Sequence, residues 1–144
     1  MPRHVATLPS TWSADRLFTY MCDFTNAQEW DPSVEKAERV DTGPVRLGSR
    51  FNLVVRNGRS QLALGYEVTR LTAETMTLAA STGMFRSVDT IRVTPDDQGS
   101  ILEYDATLAG RGLAVLLTPL LGRPFTRMFD AAEAQLRKVV QSPR

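Results

Sequence analysis

From Arg50 to Leu71 the chain reads RFNLVVRNGRSQLALGYEVTRL, and this stretch decides the fold. Apolar and polar residues alternate on both sides of Asn57 and Gly58. The period of two is that of a half-buried strand, because successive side chains point to opposite faces. Asn-Gly between two such runs is a strong hairpin signal: a two-residue type I′ turn needs positive φ at both central positions, which these residues tolerate. The stretch therefore predicts a strand over Arg50–Arg56, reversal at Asn57-Gly58, and a return strand over Leu62–Leu71.

The same pattern extends outward. On the C-terminal side, strands are predicted over Thr75–Ala80, ending near Gly83, over Phe85–Thr94, ended by Pro95, Asp96, Asp97 and Gly99, and over Ile101–Ala109. Every junction is short, so the sheet is antiparallel. Val34–Val40 precedes it, closed by Asp41, Thr42, Gly43 and Pro44. Arg3–Leu8 is a further short strand, stopped by Pro9. Between these two lies a helix capped by Ser13, with Asp15 against its positive end and Leu17, Phe18 and Met21 on one face. A second short helical turn or loop carries Asp23, Phe24, Trp30 and Pro32. Gly48 and Gly65 are the positions where a bulge or bend is expected.

After Gly112 the period becomes helical. Leu113, Leu116, Leu117, Leu120, Leu121, Phe125, Met128, Phe129, Ala132, Leu136, Val139 and Val140 recur at steps of three and four. Pro119, Gly122 and Pro124 predict a kink or break in this segment. The expectation is α+β: a curved seven-stranded antiparallel sheet around a long C-terminal helix, with two short helices after the first strand, in a single domain over residues 1–144. A sheet with one apolar face must be covered, and the last helix is the only element long enough to do it.

Composition narrows the function. The chain has 144 residues, 42% of them hydrophobic and 23% charged, with a net charge of +1, and so can build a core without metal or disulfide. Cys22 is the single cysteine and His4 the single histidine, which leaves no zinc site of the usual kind and no internal disulfide. The basic residues, 15 arginines with Lys36 and Lys138, are spread along the chain and nearly balanced by 16 carboxylates, unlike a nucleic-acid groove. The apolar run Leu113–Leu121 is too short to cross a bilayer, and the N-terminus lacks a secretory pattern. The expectation is a cytoplasmic protein without cofactor or metal.

Several segments resemble a known family: Phe24-Thr25-Asn26, Trp30-Asp31-Pro32, Gly43 through Phe51 (GPVRLGSRF), and Pro119-Leu120-Leu121. With the element order, they are similar to the polyketide cyclase/dehydrase and lipid-transport family of the START-like, or Bet v 1-like, helix-grip superfamily. The resemblance implies a sheet gripping the helix around an apolar cavity that takes up a small hydrophobic molecule such as a lipid, quinone or polyketide.

Alternation assigns the concave face to Phe51, Leu53 and Val55, to Leu62, Leu64, Tyr66 and Val68, to Met76, Leu78 and Ala80, and to Leu102, Tyr104, Ala106 and Leu108. The same groups would make an ordinary core; the resemblance favours a chamber. The expected ligand-contacting set is Phe18, Trp30, Phe51, Leu53, Leu64, Tyr66, Met76, Leu78, Phe85, Tyr104, Leu116, Leu120 and Phe129. Tyr66 and Tyr104 supply hydroxyls that either orient a ligand or bond to backbone and water. Asp89 has two readings. Strict alternation with Phe85, Ile91 and Val93 turns Asp89 and Ser87 inward, where a desolvated carboxylate suits acid/base work. A register change would leave Asp89 in solvent, which the rarity of unpaired buried carboxylates favours. His4 reads as a surface residue and Cys22 as a small buried hydrophobe. Residues 113–124, apolar on several sides and bordered by Arg111 and Arg123, read as a movable lid or a transient membrane contact, or as a buried helix start.

Three functions follow: a binding or transfer protein for a hydrophobic ligand, a polyketide cyclase or dehydratase using Asp89, Tyr66 or Tyr104, and a protein-interaction module.

Overall fold

A computed structural model describes residues 3–111 and 122–143. In chain order the elements are β1 (Arg3–Ser10), α1 (Ala14–Cys22), a 3₁₀ turn (Phe24–Asn26), α2 (Ala27–Trp30), β2 (Val34–Arg39), β3 (Arg50–Asn57), β4 (Ser60–Leu71), β5 (Thr75–Ser81), β6 (Phe85–Asp96), β7 (Gly99–Gly110) and α3 (Gly122–Val140). The seven strands form one antiparallel sheet in the order β1-β7-β6-β5-β4-β3-β2. Only the β1–β7 pairing joins distant parts of the chain. Pro9 is tolerated within β1 because β1 is an edge strand, where a missing N–H breaks no ladder.

The hairpin at the centre of the sequence argument forms one residue later than expected. Asn57 pairs with Ser60, so the reversal falls on Gly58 and Arg59. Positive φ occurs at Gly58 (63°) and not at Arg59, the pattern of a type II′ reversal with glycine first rather than of type I′. The bulges also fall elsewhere. Gly65 stays in register opposite Asn52, and Gly48 lies in the β2–β3 connection; the ladders slip instead between Val34 and Lys36 and between Val68 and Arg70. Glu35 and Thr69 are thus the extra residues that bend their strands.

Two helices divide the concave face. Ser13 caps α1, its hydroxyl accepting from Arg16 N–H, and α1 packs over β6 and β7. Leu17 and Met21 belong with Leu8, Met76, Leu78, Ile91, Val93 and Leu102 to one core, and none of these is more than 1% exposed. The described part of α3, 19 residues and about 28 Å long, begins at Gly122. Pro124 sits in its first turn, where a proline leaves no hydrogen bond broken. The expected break upstream falls on residues outside the described set.

A clasp fixes the C-terminal end of α3. Ser10 Oγ donates to the Val140 carbonyl (2.5 Å) and Trp12 Nε1 to that of Ser142 (2.7 Å). Carbonyls in the last turn of a helix have no intrahelical donor; the first contact satisfies that of Val140, and the second holds Ser142 just beyond the helix end. From that anchor α3 runs against β1 and α2, leaving space between its inner face and the middle strands.

Candidate functional site

That space is a cavity of about 240 Å³. Its sheet wall carries Leu53 and Val55 of β3, Leu62, Leu64 and Tyr66 of β4, Ala80 of β5, Phe85, Ser87 and Asp89 of β6, and Tyr104 and Leu108 of β7. Its helical wall is Phe24, Ala27 and Trp30 on one side and Pro124, Phe125, Met128 and Phe129 on the other, with Asp31, Ser33 and Val34 between them. Aromatic rings interlock around it edge to face: Phe24 on Tyr66 at 5.1 Å, Trp30 on Tyr104 at 5.3 Å.

Two polar groups of residues interrupt the described lining, Asp31 with Ser33 and Asp89 with Ser87, Tyr66 and Tyr104. Strand register puts Leu78 and Ala106 on either side of Asp89, both inward-facing, so Asp89 turns inward too and is 3% exposed. Here the structure overturns the solvent reading, because the carboxylate is not unpaired. Tyr104 Oη donates to Asp89 Oδ2 at 2.5 Å and Ser87 Oγ to Oδ1 at 3.3 Å, while Tyr66 Oη donates to Ser87 Oγ at 3.3 Å. The carboxylate is thus bonded from β7 and from its own strand, and Tyr66 of β4 joins through Ser87.

Burial pushes the Asp89 carboxyl up to about 7, against the hydrogen bonds from Tyr104 and Ser87, which favour the charged form; Asp31 and Asp105 push it further up. The phenols of Tyr66 and Tyr104 are raised well above their ordinary value, by burial first and by Asp89 second. Asp31 is raised by burial, opposed by its hydrogen bonds from the Ser33 hydroxyl and N–H. The described lining holds two acids and two phenols but no arginine, lysine or histidine. Among the described residues, no group of three or more His, Cys, Asp or Glu could hold a metal ion.

Of the expected contact residues, Trp30, Leu53, Leu64, Tyr66, Phe85, Tyr104 and Phe129 lie on the cavity wall, together with Asp89. Four others do not. Met76 and Leu78 share the inward face but are fully buried in the core and do not line the cavity. Phe51 is fully buried behind Phe24, their ring centroids 6.2 Å apart. Phe18 lies on the far side of α1, beside an open depression with Asp15 and Glu74. Leu116 and Leu120, with the rest of the run Leu113–Leu121, fall outside the described residues.

Phe24, Ala27, Asp31, Ser33, Val34, Pro124, Phe125 and Met128 line the cavity although none belongs to the expected contact set. A signal for some of them exists: Phe24, Ala27 and Trp30 recur every three residues, as do Phe125 and Met128, which marks one helical face each. His4 departs from its reading as a surface residue. It faces inward opposite Ala106, bonds Glu133 Oε1 through Nε2 at 2.9 Å, and stacks on Phe129 at 5.5 Å. Its carboxylate partner comes from α3, far away in sequence.

Trp30 is unusual in one respect. It is 3% exposed, and its indole N–H is buried without any hydrogen-bond acceptor.

The family profile described as polyketide cyclase / dehydrase and lipid transport matches residues 1–141. The chain belongs to that family. Solved structures share its fold at low identity. A START superfamily protein from Mycobacterium smegmatis superposes with a TM-score of 0.73 at 13% identity, covering 96% of this chain and 94% of that one. Major latex-like protein 151 from Panax ginseng gives 0.70 at 9% identity, with 97% of each chain covered. The di-domain ARO/CYC StfQ from the steffimycin biosynthetic pathway gives 0.71 at 14% identity, covering 96% of this chain and 50% of that one. Among curated protein sequences nothing matches the chain. No helix of the described residues is long and apolar enough to cross a membrane.

Proposed function

We propose that this family member binds a small hydrophobic molecule in the chamber between the sheet and α3, with the ligand's polar group near Tyr66, Ser87, Asp89 and Tyr104. The observation that carries the reading is an apolar cavity of about 240 Å³ whose described wall holds the cluster of Asp89, Tyr104 and Ser87. Such a combination holds a ligand by burial and orients it by a few polar contacts. An apolar void of about 150 Å³ takes up benzene, so this one suits roughly ten non-hydrogen atoms, one fused pair of rings. Left dry and empty, it would cost about 6 kcal/mol at 24 cal/mol per Å³, comparable with the stability of a whole domain.

A thermal-shift series of neutral bicyclic compounds tests the proposal. At a hundredfold excess over Kd, binding adds about 2.7 kcal/mol, or roughly 5–11 °C in Tm for a domain of this size. Native mass spectrometry should show the same compounds retained at one per chain. A series in which no compound moves Tm or is retained contradicts the proposal.

The contact between Asp89 and Tyr104 favours a second reading, an enzyme of the cyclase or dehydratase kind. A carboxyl held near neutrality serves as acid or base at ordinary pH, and the hydroxyl at 2.5 Å passes its proton toward a ligand oxygen. Asp89→Asn keeps the shape and removes the titrating group. On this reading the variant still takes up a polyketide-like substrate but does not convert it; conversion at the wild-type rate removes the reading.

A further inference from the structure

The acids of this molecule are paired in an inverted way. Toward the surface they have cations: Asp41 lies 3.1 Å from Arg39, Asp105 2.7 Å from Arg3, and Glu133 3.4 Å from Arg137. The two acids on the chamber wall, Asp31 and Asp89, are bonded to hydroxyls, and neither belongs to an ion pair among the described residues. Buried acids are ordinarily the paired ones. The inference drawn from this rests on the chamber's being a binding site. We infer that the chamber takes a hydrophobic ring compound carrying an ammonium, and that the carboxylate of Asp31 holds that ammonium, a contact additional to the one at the Asp89 cluster.

Asp31 has the open acceptor. It follows Trp30 at the C-terminal end of α2, lines the cavity and is partly exposed, so a ligand in the chamber can reach it. Its Oδ1 accepts from the Ser33 N–H at 2.9 Å and from the Ser33 hydroxyl at 2.7 Å, which fixes the side chain. Its Oδ2 has no hydrogen-bond partner among the described residues. Burial raises this carboxyl, and Ser33 alone opposes the rise, with no positive group acting on it.

The rest of the wall agrees with a cation. Phe24, Trp30, Tyr66, Tyr104 and Phe129 surround the space with aromatic rings, whose faces attract an ammonium. Asp89 is a second acid, near enough for Asp31 to raise its carboxyl. The described lining holds no arginine, lysine or histidine, and the stretch 112–121, GLAVLLTPLL, contains no ionisable side chain. Folding has already taken much of the water from both carboxyls, so an entering ammonium has chiefly its own hydration to lose and gains an ion pair and ring contacts. A carboxylate entering here loses its water and faces two acids.

A matched series on one ring scaffold tests the inference: tetralin, 2-tetralol, 2-aminotetralin and tetralin-2-carboxylate, titrated calorimetrically against the wild-type protein. At pH 8 the amine is still protonated and Asp89, which ionises at about 7, is charged. Alcohol and amine have nearly the same shape, so the ratio of their affinities reports the charge. The expected order places 2-aminotetralin about tenfold tighter than 2-tetralol, a factor equivalent to about 1.4 kcal/mol, with the carboxylate weaker than tetralin. In Asp31→Asn, whose amide oxygen still accepts from Ser33, the amine-to-alcohol ratio falls to within about threefold, whereas in Asp89→Asn it stays above that. If Asp31→Asn does not fold, the ¹³C resonance of the Asp31 side-chain carboxyl in the wild-type protein decides. It moves with bound amine and not with bound alcohol, while that of Asp105, held by Arg3, stays in place.

An amine that binds no tighter than the alcohol, or a carboxylate that binds best, overturns the inference while leaving the chamber a binding site. So does an amine advantage that survives Asp31→Asn, is lost as fully in Asp89→Asn, or leaves the Asp31 carboxyl unmoved. Failure of all four compounds to bind overturns the binding reading and the inference with it.

Discussion

Asp89 makes the stability of this protein depend on pH in an unusual direction. Its carboxyl ionises at about 3.8 when unfolded and at about 7 when buried beside Tyr104. The folded state therefore holds a proton that the unfolded chain has already released, and stability falls as pH rises from about 4 to about 7. At 1.36 kcal/mol for each tenfold change in proton affinity, the full displacement is worth about 4 kcal/mol, of which about 3 kcal/mol falls between pH 5 and pH 8.

Asp89→Asn isolates this effect. The amide has nearly the same shape, accepts from Tyr104, and does not titrate. Urea unfolding of wild type and variant at pH 5, 6, 7 and 8 should show the variant gaining on wild type by about 3 kcal/mol across the series, or roughly 6–12 °C in Tm. Whatever the amide loses in hydrogen bonding offsets all pH values equally and leaves the slope untouched. A difference that stays flat with pH would mean that Asp89 reaches water, and would remove the buried cluster on which the site is built.

Two other positions give separable tests. Gly99 has φ 144°, and a Cβ there would stand 2.5 Å from the Ser10 carbonyl oxygen and under 3 Å from Thr11 backbone atoms, so Gly99→Ala should destabilise the fold by at least about 2 kcal/mol in urea unfolding. A loss under about 0.5 kcal/mol would show that the β6–β7 turn yields easily. Cys22 is buried and its thiol is pushed up to about 12, by desolvation, so it should react with a disulfide reagent only as fast as the protein opens, and at full rate in urea; prompt reaction of the native protein would contradict its burial.

How much of this was legible in the sequence depends on the range of the interaction concerned. The strands and their hairpin pairings follow from local alternation and turn residues, so all seven strands were readable to within a few residues, whereas the pairing of β1 with β7, far apart in sequence, was not. The hairpin type was missed because pairing of Asn57 with Ser60 moves the reversal on by one residue, which places the glycine first. The bulges at Glu35 and Thr69 carry no glycine and left no mark. For the site, alternation identified the inward face but not which half of it is filled. Met76 and Leu78 alternate as Leu64 and Ala80 do, yet only the latter two reach the cavity, an outcome of packing between elements distant in sequence. Asp89 and His4 share a cause: each has partners supplied by another element, Tyr104 from β7 and Glu133 from α3. Reading charge in isolation sends such residues to solvent.

The central claim is that a small hydrophobic molecule enters the space between α3 and the middle strands. Intermolecular NOEs measured on the wild-type protein saturated with a bicyclic compound that raises its Tm test it directly. The account predicts contacts from the ligand's ring protons to the methyl groups of Leu64, Ala80 and Met128, which come from β4, β5 and α3 and line one wall or another of the chamber. NOEs confined to residues outside that set, such as Phe18 and Ala73 at the open depression beside α1, would contradict it.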